Sequence, residues 1–236
     1  MKTISIIMII FCLKACADKQ PPTHFIFLCD VSDTLSEIQN LTPTAVLKQV
    51  LNDKSTVFWE ACTVTFSEIN DGRMTNSSTF SVPQETSMTS DEIQRIASID
   101  TFKRQICEEV HHIVTSPKTN NTSAIFEKIM FEIEQLNANK NSEETALYIF
   151  SDLIQNTQSC SFYSKNDFEK LMQSDSIWFK SVFTKGRPIP NLSKFSLYLI
   201  HTSSTPQEDE IFYIVANNIH VLLEPYGARV SISSGL

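Results

Sequence analysis

The chain has 236 residues, 42% of them apolar and 10% aromatic, and a net charge of −8. That is long enough for one large or two small domains and apolar enough to bury a core, which excludes a disordered protein. An acidic balance with no clustered basic stripe excludes nucleic acid as a partner. Sixteen Phe against only four Gly point to a packed domain with few flexible linkers.

The first segment reads as an export signal: Lys2 is followed by an apolar stretch, Ile4 to Leu13, too short to span a bilayer as a helix. Leu13-Lys14-Ala15-Cys16 then resembles a bacterial lipobox, departing from it at Lys14. The resemblance implies a signal over residues 1–16, a lipid on Cys16, and an exported protein anchored in the bacterial cell envelope. A plain secretory signal is the alternative. Residues 17–23 read as a short polar tether and residues 24–236 as a single domain. No other stretch of 18 residues is apolar enough to suggest a further span. Four Cys remain after the signal, Cys29, Cys62, Cys107 and Cys160, with no C-x-x-C pair, which argues against zinc. An oxidising compartment permits a disulfide such as Cys107–Cys160, which spacing alone does not assign.

In chain order, Phe25 to Cys29 is a continuous apolar run, as expected of a strand buried on both faces. Ser36 to Leu51 has near-helical apolar spacing interrupted by Pro43, which predicts a helix bent or split there. Val57 to Phe66 and Ser78 to Val82 flank the turn signal Asn70-Asp71-Gly72 and predict an antiparallel pair at a sheet edge. Asp91 to Val114 is predicted helical. Ala124 to Leu136 is the clearest helix, with Ile125, Ile129, Ile133 and Leu136 in phase. Thr145 to Ile149 predicts a second buried strand, Asp167 to Met172 a short helix, and Phe195 to Ile200 a strand. Gln207 to Leu223 predicts a last helix and Arg229 to Ile232 an edge strand. Strands alternating with helices specify an α/β, doubly wound, mainly parallel central sheet with helices on both faces and one antiparallel edge strand.

Two predicted buried strands end in acids, Asp30 and Asp152, and Asp30 is followed by hydroxyls at Ser32 and Thr34. Between them, the hydroxyl-rich loop Thr119 to Ser123 opens a helix. A doubly wound sheet can bring these three places to one edge, and clustered oxygens of this kind suit a hard cation. The arrangement resembles the von Willebrand factor A (VWA) domain and its metal-ion-dependent adhesion site. That family's motif is D-x-S-x-S after the first strand, a Thr opening a later helix, and an Asp after the fourth strand. Asp30, Ser32 and Thr34 match the first element, with Thr in place of the last Ser, and Asp152 matches the final one. For the middle ligand, the family's helix phasing counted from Ser123 reaches Ile125, Ile129, Ile133 and Leu136; Thr122 and Thr119 stay open as alternatives. The resemblance implies a divalent cation, Mg²⁺ or else Mn²⁺ or Ca²⁺, and a protein partner that offers it a carboxylate.

Other readings have weaker signals. Asp30-Val31-Ser32-Asp33-Thr34-Leu35 also looks like the D-x-D-G-T-L start of haloacid-dehalogenase-type phosphatases, but Ser32 stands where the general acid/base would be. There is no G-x-S-x-G elbow for a serine hydrolase. His111 and His112 sit together in a predicted helix without metal spacing, and Trp59 and Trp178 suit core or interface packing better than a binding box. Asn40, Asn76, Asn120, Asn121 and Asn191 open N-x-S/T sequons, which would fit a secreted glycoprotein. The remaining alternative is a metal-free structural subunit of an envelope assembly.

Overall fold

A computed structural model describes residues 23–31, 38, 41–51, 57–70, 76–86, 91–116, 122–138, 144–173, 175–202 and 205–236. The elements in order are β1 (Thr23–Asp30), α1 (Pro43–Val50), β2 (Cys62–Ile69), β3 (Ser77–Val82), α2 (Glu92–Thr115), α3 (Ile125–Ala138) and β4 (Thr145–Phe150). They continue with α4 (Lys165–Met172), α5 (Ser176–Thr184), β5 (Phe195–Ile200), α6 (Pro206–Leu223) and β6 (Arg229–Ser233). The six strands form one sheet in the order β3-β2-β1-β4-β5-β6. Every neighbouring pair is parallel except β2–β3. This is the doubly wound order, and its direction reverses between β1 and β4. The expected architecture, including the antiparallel edge strand, is the one observed.

Side chains of successive strand residues point to opposite faces, and the sequence exploits this to build two cores. Ile26 and Leu28 of β1, Leu147 and Ile149 of β4, and Leu197 and Leu199 of β5 pack against α3, α4, α5 and α6. Phe25, Phe27, Cys29, Tyr148 and Phe150 pack against α1 and α2. Strand register lines up Phe66, Phe27, Tyr148 and Tyr198 across four strands. Their rings stack with centroid separations of 5.1, 5.1 and 4.6 Å. Burial pushes the Tyr148 hydroxyl up to about 12, and the neighbouring Tyr198 adds to the shift. Its oxygen accepts a 2.6 Å bond from Gln49 Nε2. The ring row therefore carries its polar atom into a defined partner rather than leaving it orphaned.

The split expected at Pro43 is observed, with Ile38 helical, residues 41–42 not, and a helix beginning at Pro43, while two other details differ from the sequence reading. Pro43 is the first residue of α1, with the Thr42 hydroxyl accepting from the Ala45 N–H; a proline at this position has no N–H to lose from the helix ladder. Helix α5 had no counterpart among the predicted elements. Its aromatic and β-branched residues are indifferent helix formers, and Asp175 capping the Ile177 and Trp178 N–H groups, together with burial of Phe179 and Phe183, sets it. Cys107 and Cys160 are free thiols. Cys107 belongs to α2, whose buried side packs on one face of the sheet, and Cys160 belongs to the core on the other, so this pair is not a disulfide. Burial pushes the Cys160 thiol up to about 12, with Asp167 and Glu127 adding to it, which makes it a poor nucleophile.

Away from the site, Arg95 of α2 is 1% exposed. It donates to the carbonyls of Phe58 (2.7 Å), Pro83 (2.8 Å) and Glu60 (3.1 Å), so one guanidinium ties the chain before β2 to the chain after β3. Among the described residues no helix is long and apolar enough to cross a membrane.

Candidate functional site

The β1–β4 ladder ends with Cys29 opposite Phe150. Asp30 and Ser151 are the next residues on the two strands, and by alternation both point to the face covered by α3. This is the sheet edge at the carboxyl ends of the strands, at the reversal of strand order, where doubly wound sheets bind ligands. Asp30 is 1% exposed, so it is not a solvated strand end. Its Oδ2 accepts from the Ser123 hydroxyl at 2.7 Å and the Ser151 hydroxyl at 2.9 Å. A carboxylate taken out of water needs such donors.

Ser123 is held in place by its backbone. It exchanges two hydrogen bonds with Asn156, N–H to O at 3.0 Å and O to N–H at 2.9 Å. The next residue, Ala124, donates to Asn70 O at the end of β2. Gln155 is buried, and its Oε1 accepts from the Phe126 N–H in the first turn of α3 while its Nε2 donates to Glu127 Oε2. Lys185 completes this row with an ion pair to Glu127 Oε1 at 2.6 Å. The start of α3 is thus fastened to the loop after β4 through Gln155 and Asn156, to the end of β2 through Asn70 and to Lys185 at the end of α5, and this places Ser123 at Asp30.

The loop after β4 turns sharply. Ser151 Oγ accepts from the Leu153 N–H at 3.0 Å, and Asp152 Oδ1 accepts from the Ile154 N–H at 2.8 Å. Leu153 adopts a left-handed conformation, φ 60°, which a bulky residue holds only when its surroundings impose it. Here its buried side chain anchors it in the α3–α6 core.

Of the residues singled out in the sequence, the fold brings Asp30 and Ser123 into direct contact, while half-buried Asp152 lies in the turn after β4, next in the chain to Ser151, which bonds Asp30. Thr122 is the neighbouring residue and is half-buried. Ser32, Thr34, Thr119 and Cys16 lie outside the described residues. Ser151, Gln155 and Asn156 were not anticipated. A hydroxyl immediately before the acid at a strand end was a usable signal for Ser151; Gln155 and Asn156 had none, because their roles depend on the path of the loop.

The donor set can be tested against a cation on chemistry alone. Ser123 Oγ gives its proton to Asp30, and no described residue donates to it, so its lone pairs face outward from that bond. Carboxylate and hydroxyl oxygens are the donor types that Mg²⁺, Mn²⁺ or Ca²⁺ take, although no group of three or more His, Cys, Asp or Glu able to hold a metal of any kind occurs among the described residues. By donor type alone, the Asp30 and Ser123 oxygens are of the kind a hard cation takes.

No protein-family model matches the sequence, and no curated protein matches it. In fold the chain is similar to the SpRpn10 VWA domain, at 10% identity over 89% of this chain and 87% of that one, with a TM-score of 0.40. It is also similar to the pilus adhesin SpaC from Lactobacillus rhamnosus GG in its open conformation, at 9% identity and a TM-score of 0.41. That match covers 92% of this chain but 28% of the adhesin's. Likenesses this distant carry no functional argument, which rests instead on the sheet order and the site.

Proposed function

We propose that this chain is a binding module, an adhesion or scaffolding domain of the cell envelope, that engages a protein partner through a divalent cation at the carboxyl edge of its sheet. Asp30 and Asp152 supply the charge, Ser123 a neutral oxygen, and Ser32 and Thr34 the remaining hydroxyls. When bound, the ion supplies an electrophilic centre with room for one external ligand. Two acids among neutral donors leave that centre with residual positive charge, which suits an external carboxylate. The observation that carries this reading is the contact of Asp30 with Ser123 at the reversal of strand order.

Water-proton relaxation of Mn²⁺ added to the chain tests it. A site with an open position gives enhanced relaxation that falls saturably as acetate, standing in for the partner's carboxylate, displaces the bound water. Absence of enhancement would overturn the reading. In the same proposal Cys16 carries the lipid anchor. Labelling with a radioactive fatty acid in a bacterial host, lost in Cys16→Ser, checks that part separately.

A further inference from the structure

Ser151 was no part of the site as read from the sequence, yet its hydroxyl bonds both Asp30 and the turn that carries Asp152. It is fully buried, 0% exposed. A serine hydroxyl has one proton to donate and two lone pairs to accept with. The proton of Ser151 goes to Asp30 Oδ2 at 2.9 Å, and one lone pair receives the Leu153 N–H at 3.0 Å. The second bond sits inside the turn that sets Asp152, whose own Oδ1 takes the next N–H, that of Ile154, at 2.8 Å. Ser123 differs in one respect: it donates to the same carboxylate oxygen but receives no donor from the described residues.

We infer that Ser151 is the positioning residue of this site: it locks Asp30 and the Asp152 turn into one relative geometry without itself binding the ion, whereas Ser123 is the hydroxyl left to face it. The inference rests on the cation reading above and divides the two serines on Asp30 into different roles. Residues behind a metal site that orient its ligands commonly change affinity by ten- to a hundredfold when removed.

The experiment is Mn²⁺ titration of the full chain followed by electron paramagnetic resonance, together with amide NMR of the metal-free protein. The variants are Ser151→Ala, Ser151→Thr, and Val215→Ala as a destabilised control in the buried part of α6. Expected for Ser151→Ala is about a tenfold loss of Mn²⁺ affinity, with shifted or faster-exchanging Leu153 and Ile154 amides before any metal is added. Ser151→Thr, which keeps the hydroxyl, stays within about threefold of wild type, and Val215→Ala keeps wild-type affinity despite its lower stability. Saturable wild-type binding that Ser151→Ala leaves unchanged would overturn the positioning role and spare the cation reading. Absence of saturable binding in the wild type would overturn both.

Discussion

Replacing Asp30 by Ala tests the hydrogen-bonded knot at the strand ends independently of any ion. In the wild type its Oδ2 holds two buried hydroxyls, at 2.7 and 2.9 Å. A hydrogen bond to a charged group contributes about 1.5–3 kcal/mol, and a buried donor left unmatched carries its own desolvation cost. Two such bonds at the low end of that range give about 3 kcal/mol. For a domain of this size each kcal/mol moves the melting temperature by about 2–4 °C, so the loss corresponds to about 6–12 °C. Asp30→Asn keeps an oxygen able to accept from Ser123 or Ser151 and should lose about half as much. The assay is thermal unfolding in a chelator, which removes any contribution from bound metal. An Asp30→Ala protein melting within about 2 °C of wild type would refute the claim that this carboxylate pins β1, β4 and the start of α3 together.

Two further predictions concern the rest of the fold. Arg95→Met keeps most of the apolar stem but strands the carbonyls of Phe58, Glu60 and Pro83, and should cost about 3–5 kcal/mol in denaturant unfolding. Arg95→Lys should recover only part of that, because one ammonium cannot serve three separated acceptors; a Met variant within about 1 kcal/mol of wild type would contradict the role assigned to the guanidinium. Burial holds the His24 imidazole below its ordinary value of 6.5, with Nε2 2.9 Å from the Thr65 hydroxyl. The unfolded chain therefore takes up the proton first, so His24 makes the fold less stable as pH drops through 6.5 toward the lowered folded value. His24→Gln should flatten stability between neutral and mildly acidic pH, and an unchanged slope would remove His24 as its source.

The fold was legible because its strands alternate with helices and its buried strands are continuous apolar runs. Phe25 to Cys29 and Thr145 to Ile149 needed no tertiary information to be recognised. Helix α5 was not legible: Ile177, Trp178 and Phe179 read equally well as strand, and only the Asp175 cap and the packing of Phe179 and Phe183 decide it. At the site, Asp30 stood out as an acid closing an apolar run, and Ser123, the hydroxyl from which the helix phasing counts, donates to it. Ser151 was missed because strand register, rather than motif spacing, places it next to Asp30. The Cys107–Cys160 pair failed for a related reason: sequence spacing does not tell which face of the sheet a cysteine occupies.

The most direct test of the central claim is calorimetric titration of Mg²⁺ into the chain beside Asp30→Asn, the variant expected to keep the fold. The account predicts saturable binding at a single site in the wild type and none in the variant. Wild-type protein that takes up no Mg²⁺, or a variant that binds it equally well, would contradict the assignment of a cation to Asp30.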